Sequence, residues 1–307
     1  MSAPFRWDLV TPDQLGSLLD GAAPPDLWFL DDLVACTGKV LARSGHGDLY
    51  FVGRSLDSMF DLLGGALAAR PETRAAARPE ARAARAEAPR LYRLPLSFAR
   101  FAVRSGSWRR SRWRRPPLTP AEVEQGRGFL TEAGLTPRAL ARRERPAVMV
   151  DVVHAGDTFT DLFTLLRDWV DEEREPWPVI RRKLRFIGVT SRSKTSPNAY
   201  RWQQHAAWTR ELPATAVVNV SLTPWVWTYL GEQQAKLTRS FRPPLWAAEA
   251  DGPGRDEQTR NALAEAAALV AYGRSGTGRR AIARAAGRDP AIRRPWLRTL
   301  LTDLTTG

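Results

Sequence analysis

Apolar positions recur along this chain in two periods, and each switch between them marks an element. Over residues 26–43, Leu27, Leu30, Val34 and Leu41 fall on one side of a helix that ends at Ser44-Gly45-His46-Gly47. The period then shortens: Leu49 to Val52 is an apolar strand, Gly53 to Ser55 a turn, and 56–67 a second helix. Residues 91–98 read as a strand, Thr119-Pro120-Ala121-Glu122 as a capping box that opens a helix to about residue 133. Residues 147–153 form the most hydrophobic strand; lacking alternation, it is expected to lie at the centre of a sheet, covered on both faces. A helix over 160–174, strands over 184–190 and 215–222, and an Ala- and Arg-rich helical stretch over 256–304 complete the pattern. Near the start, Thr11-Pro12-Asp13-Gln14 predicts a short capped helix running through Leu19.

Strands separated by helices predict an α/β fold with a doubly wound, mostly parallel sheet and a helical C-terminal extension. The expected organisation is a domain over 1–247 and a helical segment over 248–307, divided near the Gly- and Pro-containing stretch that follows Trp246. Two segments interrupt the domain. Residues 69–89 contain no Val, Ile, Leu or Phe and nearly repeat "RPETRAAA" as "RPEARAAR", so they can bury little and read as an exposed insert. Residues 104–117, "RSGSWRRSRWRRPP", read as a basic loop.

Composition narrows this picture only in places. No apolar run approaches the roughly 20 residues of a membrane span, and the first residues carry Asp8, Asp13 and Asp20 with no leader pattern, so a soluble cytoplasmic protein without membrane partners is expected. The single Cys36 excludes an internal disulfide and a thiolate metal cluster. The net charge of +13 favours anionic partners. Only four residues are lysine, however, and an Arg-, Ala-, Pro- and Gly-rich chain is also what GC-rich coding produces.

The densest candidate chemistry lies where the central strand meets its helix. Asp151, His154, Gly156, Asp157 and Thr158 fall within eight residues at the carboxyl end of a predicted parallel strand, where open α/β sheets bind ligands. A helix beginning near Phe159 would add free amides and a positive dipole end suited to phosphate. These residues, Val148-Met149-Val150-Asp151-Val152-Val153 followed by His154-Ala155-Gly156-Asp157-Thr158, resemble the ribose-phosphate motif of type I phosphoribosyltransferases. Val150 stands where the first of the family's two acids is expected.

The resemblance implies that Asp151 contacts the ribose hydroxyls of phosphoribosyl pyrophosphate, indirectly touching its Mg2+. It further implies that Ala155, Gly156, Asp157 and Thr158 hold the 5-phosphate through their amides and the Thr158 hydroxyl. It places Arg54 and Ser55, after the first strand, against pyrophosphate, and Arg109 and Arg110 in a basic lid. The implied activity is transfer of phosphoribosyl to a nucleobase or other small aromatic acceptor with release of pyrophosphate. His154 opens the loop and is a candidate base, since imidazole exchanges protons near neutral pH. Trp202, Trp208, Trp225 and Trp227 offer faces on which an acceptor could stack.

Two other readings stand beside that one. Val150 in place of an acid suits a regulatory protein that binds a nucleotide or phosphoribosyl pyrophosphate without turning it over. Arg109, Arg110, Arg112, Arg114 and Arg115 with Trp108 and Trp113 could instead hold single-stranded nucleic acid, though no nucleic-acid-binding motif accompanies them. A homodimer is compatible with each.

Overall fold

The computed structural model describes residues 3–10, 15–68, 88–100, 103–105, 112–114, 116–195, 201–248, 252 and 254–306. Its centre is a five-stranded, wholly parallel sheet: β1 (Asp48–Val52), β2 (Leu91–Leu94), β5 (Ala147–Val152), β6 (Leu184–Ser191) and β7 (Val217–Leu222), in the order β2-β1-β5-β6-β7. The remaining two strands, β3 (Val103–Ser105) and β4 (Arg112–Arg114), pair antiparallel as a separate ribbon. The stretch expected to be a basic loop thus contains two short strands paired antiparallel.

The helices of six or more residues among the described residues are α1 (Leu30–Arg43), α2 (Asp57–Leu67), α3 (Pro120–Glu132), α4 (Pro137–Arg142), α5 (Asp157–Glu172), α6 (Glu257–Arg274), α7 (Gly276–Gly287) and α8 (Pro295–Thr306). α3 carries the expected capping box, with Thr119 accepting from the Glu122 amide and the Glu122 carboxylate accepting from the Thr119 amide. The helix expected to run through Leu19 differs: Gly16 to Gly21 form turns, with Gly16 and Gly21 at φ 50° and 73°, a conformation that ends a right-handed helix. Its expected N-cap, 11–14, lies outside the described residues.

Strand side chains alternate between two cores, as a period of two requires. Leu49, Phe51, Val148, Val150, Ile187 and Val189 face α1, α2 and the C-terminal helices. Tyr50, Val52, Ala147, Met149, Leu184 and Phe186 face the layer of α3, α4, α5 and the 202–216 loop. Two of the three inner strands, β1 and β5, are covered on both sides, which is why their sequences are apolar without alternation. The residues set apart by sequence as a C-terminal extension belong to this architecture. α6 packs on α2 and α7 on α1, and Leu269, Ile282, Leu297 and Leu304 join the same apolar cluster as β1 and β5.

Direction of winding sets where a crevice opens. From β1 the chain moves outward to β2, whereas from β5 it moves the opposite way to β6 and β7. Loops leaving β1 and β5 therefore diverge, and a crevice opens at the carboxyl ends of these adjacent strands. No helix among the described residues is long and apolar enough to cross a membrane.

Candidate functional site

The crevice holds a cavity of about 230 Å3 lined by three loops that sequence separates widely. Gly53, Arg54 and Ser55 come from the exit of β1, Leu96 and Ser97 follow β2, and Asp151 and Thr158 flank the exit of β5. A fourth wall comes from the segment after β7, through Gly231, Glu232, Gln234, Lys236 and Ser240. That segment returns across the carboxyl edge of the sheet: Phe241 bridges Leu96 in parallel, and its carbonyl accepts from the Ser97 amide at 2.9 Å.

Gly156 decides the shape of the β5 loop. Its φ of 85° places it in the left-handed region, and it serves as the residue from which α5 starts, three positions earlier than the sequence pattern predicts. A Cβ there would sit 2.5 Å from the ring of Trp202, so both conformation and packing demand glycine. Trp202 is itself held, its indole N–H donating to Asn219 Oδ1 at 2.9 Å. Glycine is thus explained by the tryptophan beneath the loop as well as by access from above. The early start puts Asp157 and Thr158 in the first turn of α5, where no side chain caps the helix. Thr158 lines the cavity, half-buried, whereas Asp157 is exposed.

Asp151 is the penultimate residue of β5, its carboxylate is buried, and Oδ1 accepts the Val152 amide at 2.7 Å. Burial pushes its pKa well above the usual carboxylate range, against the opposing pull of that amide and of Lys236. Val150, one residue earlier, points to the opposite face and is fully buried in the apolar cluster with α1 and α2. It is outside the cavity, and an acid there would be desolvated.

Three cationic or polar groups gather opposite Asp151. Arg54 is half-buried and donates through Nη1 to the Thr238 carbonyl, with burial lowering its pKa below the ordinary value. Lys236 donates to Gln234 Oε1 and, at 3.4 Å, to the Ser55 carbonyl. Burial, assisted by Arg54, brings its pKa down to about 8 although Asp57 and Glu265 pull upward. Gln234 is buried, donating to Ser58 Oγ at 2.5 Å and to Glu265, whose other oxygen accepts from the Tyr229 hydroxyl at 2.6 Å. The amide thereby presents its oxygen to Lys236 and fixes the ammonium at the cavity wall.

The sequence-predicted residues divide accordingly. Asp151, Thr158, Arg54 and Ser55 converge on one cavity. Ala155 is half-buried beside it in the loop, and Gly156 is buried against Trp202. His154 is exposed, does not line the cavity, and has its ring centre 6.1 Å from that of Trp227. Arg109 and Arg110 lie outside the described residues. Trp202, Trp208 and Trp227 are core residues, while Trp225 is 79% exposed. Lys236 and Gln234 were not singled out from sequence. Their signal was a lysine, one of four in an arginine-dominated chain, soon after the last strand.

Asp151 and Glu232 are the two carboxylates that line the cavity, and the described residues contain no group of three or more His, Cys, Asp or Glu placed to hold a metal. Magnesium is commonly held through one or two carboxylates, several waters and phosphate oxygens rather than by an all-protein cage, and two lining carboxylates are compatible with that mode of binding. No protein-family model, curated protein or solved structure matches this chain.

Proposed function

We propose that the crevice binds a phosphorylated ribose with its diphosphate, and that the protein is a phosphoribosyltransferase-like enzyme using phosphoribosyl pyrophosphate as donor. The observation that carries this reading is the convergence of Arg54, Ser55, Asp151 and Thr158 on one cavity at the point where the sheet's winding reverses. Thr158 and the uncapped first turn of α5 supply donors for a 5-phosphate. In this reading Asp151 accepts from ribose hydroxyls, and Arg54 with Lys236 neutralises the leaving pyrophosphate. The bond from C1 to the pyrophosphate oxygen breaks with its electron pair on oxygen, as an acceptor's lone pair forms the new bond to C1. The acceptor class, a nucleobase or other small aromatic molecule, is part of the same proposal.

A reading without transfer is favoured by one observation, the burial of Val150 in the apolar core, which leaves β5 with a single acid at the cavity. One pair of measurements separates the two. Magnesium phosphoribosyl pyrophosphate is expected to raise the melting temperature by about 5 °C at saturating concentration, and pyrophosphate release is expected with at least one acceptor from a panel of bases and aromatic acids. Stabilisation without release supports binding alone. The absence of any response to the donor sinks both, and steeply salt-dependent binding of single-stranded nucleic acid would then replace them.

A further inference from the structure

A larger chamber of about 690 Å3 adjoins the crevice. Its walls come from the N-terminal segment, the 234–239 stretch and the residues that lead into α6. Arg54, Gln234 and Lys236 line both spaces, so they form a shared partition. Among the described lining residues, three cations, Arg54, Lys236 and Arg239, face the single acid Asp256. Asp256 caps α6, its carboxylate accepting the Thr259 amide at 2.7 Å, and also feels the charge of Arg239, so the lining keeps an excess of two cations. Phe5, 37% exposed, stands edge to face against Trp7 with ring centres 5.0 Å apart, which fixes its orientation at the chamber wall.

We propose that this chamber is a second ligand site, for a small planar anion whose aromatic ring lies on Phe5 and whose acidic group faces Arg239 and Lys236. Two features select that class. An excess of cations around a partly enclosed space attracts an anion, and a held aromatic face favours a flat ring over a flexible chain. The volume, within the roughly 300–1,000 Å3 typical of small-molecule pockets, suits one substituted ring system. As the acceptor site of the transfer reaction, the assignment rests on the ribosyl-phosphate reading of the neighbouring crevice. A ring nitrogen's lone pair would then attack C1 across the Arg54–Lys236 partition while pyrophosphate leaves with the C1–O electron pair. The binding itself is independent of that role.

Isothermal titration of the full chain with benzene-1,2-dicarboxylate, benzamide and cyclohexane-1,2-dicarboxylate tests the assignment. The aromatic dianion is expected to bind at least tenfold more tightly than the neutral amide and at least threefold more tightly than the saturated dianion. Arg239→Gln is expected to weaken dicarboxylate binding at least fivefold, and Phe5→Ala about threefold, with each variant's melting temperature unchanged. Equal binding of benzamide and the dicarboxylate, or an affinity indifferent to Arg239→Gln, overturns the proposal. Ribose 5-phosphate, titrated in parallel, reads the crevice alone. If it fails to bind while the dicarboxylate keeps its dependence on Arg239 and Phe5, the chamber assignment stands and the donor reading falls.

Discussion

The two ends of the parallel sheet both carry arginines and a recess, yet they are built to opposite effect. At the amino edge, Asp48 is buried and receives Arg143 at 3.0 Å and Arg145 at 3.6 Å, while Arg143 also reaches the Tyr50 hydroxyl at 3.3 Å. Tyr50 and Tyr92 stack there with ring centres 4.6 Å apart. At the carboxyl edge, Arg54 and Lys236 donate to neutral oxygens, the carbonyls of Thr238 and Ser55 and the side chain of Gln234. Volume does not favour the carboxyl edge, since the amino-edge recess, about 410 Å3, is larger than the switch-point cavity, about 230 Å3. What differs is the partner of each cation. A carboxylate neutralises the charge it holds, whereas a carbonyl orients a charge and leaves most of it for an incoming anion.

Crossed substitutions can break this contrast. Arg143→Ala is expected to lower unfolding free energy by about 1–3 kcal/mol, because it removes one of the two arginines that hold a buried carboxylate, with pyrophosphate affinity unchanged; chemical denaturation and calorimetry read the two effects. Arg54→Ala is expected to do the reverse, weakening magnesium pyrophosphate binding about 10- to 100-fold, the loss of one or two kcal/mol typical of a charge-assisted contact, at little cost in stability. If both variants lose stability and neither loses affinity, the carboxyl edge is a structural network like its counterpart.

Lys236 sharpens the comparison through pH. With its pKa lowered to about 8, the ammonium is present below that value and lost above it. Anion affinity is therefore expected to fall several-fold between about pH 7 and pH 9, and Lys236→Gln, weaker at pH 7 and converging on the parent protein by pH 9, is expected to show a flatter profile. A profile unchanged by the substitution would remove Lys236 from the site. The smallest effect is expected at His154: exposed and outside the cavity, it should change donor affinity and turnover by less than about twofold when replaced by alanine. A large loss of turnover with donor binding intact would instead mean that the loop closes His154 onto the acceptor.

Much of the architecture was legible in the chain. The apolar 147–153 run predicted a central strand, and β5 has neighbours on both sides and both faces covered. Thr119 and Glu122 predicted the start of α3 correctly because a capping box is a local motif whose donors and acceptors lie within one turn. The family resemblance pointed to Arg54 and Ser55 after one strand, and local reasoning to Asp151 and Thr158 around the exit of another. Local reasoning misplaced the start of α5, since that boundary depends on Gly156 meeting Trp202, a residue 46 positions away in the sequence. The same limit applies to Gln234 and Lys236, whose roles exist only because the chain after β7 doubles back over β1 and β5.

The sequence by itself determined the order and type of the main elements, the central position of β5 and the chemical character of the 151–158 loop. These follow from periodicity, capping and backbone preference, which act within a few residues. Tertiary structure alone decided that the winding reverses between β1 and β5, that the Ala-rich C-terminal helices complete the layer over α1 and α2, and that Lys236 joins Arg54 while His154 stays outside. Those outcomes depend on which apolar faces bury one another across long separations. A one-dimensional pattern records that a face is apolar, but not which other face will cover it.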